Sequence, residues 1–86
     1  MPTISIFFGI TIRMFFNEHG IPHFHASYGE FEAVIEIFDG SIIGGGLPRS
    51  QHKLVQQWIA IHRKELLDNW HQMRRNIPAA RIKPLE

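Results

Sequence analysis

Between Asn17 and His25 the sequence reads Asn-Glu-His-Gly-Ile-Pro-His-Phe-His, which places three of the chain's six histidines within seven residues. Imidazole, with an ordinary pKa of about 6.5, both takes and gives a proton near neutrality. In a strand, side chains two apart share a face, so His23 and His25 project together with Ser27, while Phe24, Ala26 and Tyr28 point the other way. His19, four residues before His23 in a connector, could fold back over the same face as a conditional third member. His62 stands among apolar residues further on. A buried imidazole left unpaired costs roughly 1–3 kcal/mol, so His62 must face something polar.

Two chemistries suit this set. In the first, one of His23 and His25 activates a hydroxyl, the other or His62 protonates the leaving group, and Arg13 or an arginine near the C-terminus stabilises the developing negative charge. A ribose 2′-hydroxyl attacking its neighbouring phosphate fits, because that cleavage needs no metal, and no cofactor is expected on this reading. In the second, a His-x-His pair with a third ligand such as His19 or His62 binds zinc or a similar divalent ion; the metal set would then be His19, His23 and His25. The plain alternative is that Phe24 is core, the two strand histidines are half-exposed, and His62 belongs to a structural hydrogen-bond network.

Other features carry less. Trp58 and Trp70 read as core or interface anchors rather than base-stacking platforms. Gly44-Gly45-Gly46 ahead of a helix lacks the lysine and serine or threonine of a P-loop. Arg63, Lys64, Glu65 and Asp68 read as solvated helix surface.

The elements that must hold these residues follow from periodicity. Stretches 4–8 and 10–16 are β-branched and aromatic, with Gly9 as a bulge or bend between them. Residues 17–22 form a connector, since Asn, Gly and Pro favour turns and Pro22 biases Ile21 towards extended backbone. Strand 23–28 follows. After a turn at Gly29-Glu30, alternation over 31–38 puts Phe31, Ala33, Ile35 and Ile37 on one face, with Glu32 and Glu36 opposite. Asp39-Gly40 predicts a type I′ hairpin into 41–43, and the three glycines then redirect the chain.

From Pro48 the period becomes helical, with Leu54, Val55, Trp58, Ile59, His62, Leu66, Trp70 and Met73 in one stripe that frays near 74–76. The expected architecture is α+β: a mostly antiparallel sheet of four to five strands with one long C-terminal helix packed on one face. Residues 1–76 form the domain and 77–86 an extended basic tail.

Eighty-six residues with no cysteine exclude a disulfide scaffold and a thiolate zinc site, and make the cytoplasm the expected location. Residues 1–16 lack the basic region of a signal peptide and carry Arg13 within the apolar run, so they read as folded sequence. No run approaches the roughly 20 apolar residues of a membrane span. Net charge is +1, split as −2 over residues 1–70 and +3 over 71–86. That basic end reads as solvated, with phosphates or an acidic partner as the alternative.

Taken together, Met1-Pro2-Thr3-Ile4-Ser5, Phe7-Phe8-Gly9-Ile10-Thr11-Ile12-Arg13-Met14, Pro22-His23-Phe24-His25, Tyr28-Gly29-Glu30, Leu47-Pro48 and the segment from Trp58 to Trp70 with His62-Arg63-Lys64-Glu65-Leu66 resemble the bacterial domain of unknown function 4160 over nearly the whole chain. The residues matching its motif are Asn17, His19, Pro22, His23, His25 and His62, with Arg13 just before them; Ile21 departs, standing where a second proline or small residue is expected. The resemblance implies a small protein encoded beside a partner of the domain-of-unknown-function 2442 type, as in a toxin–antitoxin pair. On that resemblance this chain would be the toxin, and the histidine chemistry above makes a metal-independent ribonuclease acting on RNA its expected activity. The alternatives are a non-enzymatic protein-binding module, or the neutralising or regulatory member of the pair.

Overall fold

The computed structural model describes residues 3–86 and shows five strands followed by one helix: β1 (Thr3–Phe7), β2 (Ile10–Arg13), β3 (His23–Tyr28), β4 (Phe31–Glu36), β5 (Ile42–Gly45) and α1 (Arg49–Arg74). The strands form one antiparallel sheet in the order β1-β2-β3-β4-β5, with β3 at its centre. The α+β expectation holds.

The turns set the register. Phe7 pairs with Ile10, and Phe8 and Gly9 between them have φ of 50° and 78°. Positive φ at both central residues is the type I′ requirement, so Gly9 makes a tight hairpin rather than a bulge. Tyr28 pairs with Phe31 across Gly29-Glu30, where Gly29 alone has positive φ, as a type II′ turn requires. The type I′ expectation at Asp39-Gly40 does not hold: only Gly40 has positive φ. The loop is longer, closed by Glu36 N–H donating to the Ser41 carbonyl (2.9 Å) and Gly40 N–H donating to the Glu36 carbonyl (2.9 Å).

The glycine run is likewise strand rather than hinge: Gly44 and Gly45 pair with Val34 and Ala33. A Cβ on Gly45 (φ +66°) would lie 2.1 Å from the Glu32 carbonyl oxygen, so the approach of β5 to β4 depends on its absence.

Ile12, Phe24, Ala26, Ala33, Ile35 and Ile37 are buried, and the helix covers them with Val55, Trp58, Ile59, Leu66, Trp70 and Met73. Trp58 packs against Phe7 and Phe24, with ring centroids 5.1 and 5.8 Å away. Phe31 was expected on this face but is half exposed, because it sits at the turn beyond the edge of the core. The helix is kinked at His62 (φ −117°, ψ 20°). It ends with Asn76 in the left-handed region (φ 60°), Asn76 N–H donating to the Met73 carbonyl and Ile77 N–H to the Gln72 carbonyl. That is the double bond of a Schellman cap.

Residues 77–86 are irregular as expected, but the chain there is packed rather than solvated. Ile82 is buried and its N–H donates to the Ile4 carbonyl (2.8 Å), the Trp58 indole donates to the Lys83 carbonyl (2.9 Å), and the Asn69 amide both donates to and accepts from Ala80. Each contact uses the backbone or an apolar residue of the tail, so Arg81 stays exposed. Among the described residues no helix is long and apolar enough to cross a membrane.

Candidate functional site

His23 and His25 share a face of the central strand, with Arg13 directly across from His25 on β2 and Glu36 across from His23 on β4. The entrance to β3 is fixed at both ends: the Ile37 N–H donates to the Pro22 carbonyl (3.0 Å), and the connector turns back through left-handed Asn17 (φ 67°) and Gly20 (φ 91°). That path brings in a carboxylate. Glu18 Oε1 lies 2.5 Å from His25 Nε2 and 3.3 Å from His23 Nε2, so one oxygen serves both rings.

The protons can be placed from the partners. A carbonyl only accepts, so the 2.7 Å contact between His23 Nδ1 and the Ile21 carbonyl puts a hydrogen on Nδ1. In the neutral ring, His23 Nε2 then carries a lone pair, and it faces a lone pair of Glu18. Two acceptors at 3.3 Å oppose each other unless a proton or another cation lies between them. For His25, an ionised Glu18 accepts from Nε2–H, which leaves the lone pair of the neutral ring on Nδ1.

Aromatic rings enclose the pair. Trp70 lies on His23 with centroids 4.9 Å apart, and Phe15 meets His25 edge-on at 4.8 Å. His23 is nearly buried; Glu18 and His25 are partly open. A cleft beside His25 is also lined by Arg13, Ser27 and Glu32. There Arg13 Nη1 donates to Ser27 Oγ (3.0 Å), while its buried Nε has no partner among the described residues. The arrangement therefore joins a carboxylate-held imidazole, a backbone-held imidazole and a guanidinium held by Ser27.

The other expected site residues lie elsewhere. His19 is exposed and lines a second cleft with Glu18, Phe15, Trp70 and Arg74; its place beside His23 and His25 is taken by Glu18. His62 is not brought to the cluster. It sits at the helix kink, its Nδ1 is 2.5 Å from Glu65 Oε1, its ring is 5.8 Å from that of Trp58, and it lines a cleft formed with Lys83 and Leu85 of the tail. The polar group that His62 needs is thus Glu65, which is itself exposed on the helix surface, whereas Arg63 is tied into the fold by donating to the Ile37 carbonyl (3.3 Å). Lys64 and Asp68 do form an exposed surface pair.

Sequence reasoning left Glu18 without a role. Its signal was position alone: a carboxylate inside the histidine-rich connector, seven residues before His25.

No curated protein and no solved structure matches the chain. Its residues 9–71 match the model of the domain of unknown function (DUF4160), a span that contains Arg13, Glu18, His23 and His25, and the chain belongs to that family.

Proposed function

We propose that the chain is the toxin of a two-protein pair and cleaves RNA by metal-independent proton transfer at Glu18, His23 and His25. The observation that supports this most is the Glu18–His25 contact, a carboxylate gripping one ring nitrogen so that the other is free to act as a base. His25 Nδ1 takes the proton of a ribose 2′-hydroxyl. The 2′-oxygen attacks the adjacent phosphorus, the bond from phosphorus to the 5′-oxygen breaks, and that oxygen receives a proton from protonated His23 by way of the shared Glu18 oxygen. The products are a 2′,3′-cyclic phosphate and a free 5′-hydroxyl. Arg13, across from His25 on β2, holds the non-bridging oxygens with its positive charge as charge builds on them. The antitoxin-like partner would act by covering this face.

Expression of the chain alone is expected to arrest bacterial growth, and His25→Ala or Glu18→Gln to restore it at equal protein level and unchanged circular dichroism. Arrest by the folded variants equal to that of the parent chain overturns the reading. A parent chain that never arrests growth, but rescues cells from its neighbour's product, makes it the neutralising member instead.

A further inference from the structure

We infer that Glu18, His23 and His25 also form a binding site for one divalent transition-metal ion, with zinc the best match. The site goes beyond the catalytic reading and stands or falls separately from it. One ligand atom from each residue lies within 4.8 Å of the others, and no other group of three or more such residues is present among the described residues.

His23 is already held as a ligand is held. Its Nδ1–H is given to a backbone carbonyl, which fixes the ring and aims the Nε2 lone pair into the cluster. The lone pair of Glu18 opposite, repulsive towards neutral His23, becomes attractive once a cation sits between them. Bonds of about 2.1 Å at tetrahedral angles place ligand atoms about 3.4 Å apart. The His23–Glu18 separation of 3.3 Å already meets this.

The 2.5 Å contact between Glu18 and His25 is a hydrogen bond and must open by about 0.9 Å, while His25 shifts its proton from Nε2 to Nδ1. Two imidazoles and one carboxylate favour zinc and its transition-metal neighbours over calcium or magnesium. Trp70 and Phe15 exclude water from two sides, and three protein ligands leave a fourth position for solvent.

Binding consumes the lone pairs that proton transfer needs. A metal-loaded chain is therefore silent in the proposed cleavage, and zinc would regulate the same centre. This last consequence rests on the catalytic reading; the site itself does not.

Calorimetric titration of the tag-free, chelator-treated chain with zinc chloride at neutral pH tests the inference. One ion per chain is expected, with affinity reduced at least about tenfold in Glu18→Gln and in His25→Ala, and unchanged in His19→Ala and His62→Ala. No saturable binding overturns the site, as does equal binding by folded Glu18→Gln and His25→Ala, or loss only in the His19 or His62 variant. Should the substituted chains unfold, cobalt loading of the parent chain decides. Intense visible bands of four- or five-coordinate cobalt support the site, and weak octahedral absorption or none overturns it. Because the readouts are heat and absorption, a chain that binds zinc yet cleaves nothing sinks only the catalytic proposal.

Discussion

At the scale of single residues, Glu18 sets the behaviour of both rings. It orients His25 by accepting from Nε2–H, and it opposes neutral His23 across 3.3 Å. Replacing it by Gln keeps the shape and removes the charge, so in the catalytic account activity falls by about 10²- to 10⁴-fold, the range of a general acid–base contribution. A second residue-scale effect lies away from the site. The Ser41 hydroxyl and then the Ser41 backbone N–H, the latter at 2.9 Å, hold the Asp39 carboxyl below its ordinary value of 3.8. A depressed folded-state value gives stability that is present above the unfolded value and is lost as pH falls through the folded one. Asp39→Ala is therefore expected to melt below the parent chain at neutral pH and to converge with it in acid. A melting difference that stays constant across a pH series contradicts this.

At the scale of elements, the central strand was legible and the connector was not. Alternation in His23-Phe24-His25-Ala26 needs only the two-residue period of a strand, and the structure has β3 at the bounds that period gives. Where Glu18 points depends on left-handed Asn17 and on Gly20, backbone choices to which periodicity is blind. The stripe on α1 predicted its buried residues well but put His62 among them. There its ring does lie beside Trp58, with Nδ1 on Glu65, while polar Asn69, which the stripe passes over, is buried. Asn69 makes two hydrogen bonds with Ala80 of the returning chain. Asn69→Ala removes both hydrogen bonds to the Ala80 backbone and is expected to cost about 1–3 kcal/mol in denaturant unfolding. A variant as stable as the parent would show that the tail contributes nothing there.

At the scale of the molecule, the last ten residues complete the fold beside β1 and α1. Composition marked residues 77–86 as basic and proline-bearing, which suits a solvated end. Their packing depends on pairing with Ile4, more than seventy residues earlier, and sequence proximity carries no record of such a contact. Removing residues 77–86 withdraws buried Ile82 and the acceptor of the Trp58 indole, for an expected loss of at least about 2 kcal/mol. Unchanged melting of the shortened chain would return the tail to the status of a solvated extension. The sheet itself holds β3 at its centre with a neighbour on each side, so the two histidines rest on an interior strand rather than an edge. Sites held on such elements keep their geometry better than sites on loops. The exposed side of the cluster, by contrast, rests on the connector.

The central claim is that Glu18, His23 and His25 act together on a phosphodiester. It is tested most directly by incubating the purified, tag-free chain with RNA in excess chelator and identifying the new ends. Cleavage leaving 2′,3′-cyclic phosphate and 5′-hydroxyl termini, reduced at least about a hundredfold in folded Glu18→Gln and His25→Ala and unchanged in His62→Ala, is the expected result. Cleavage of equal rate in the Glu18 and His25 variants, or no cleavage by a chain that arrests growth, would contradict it.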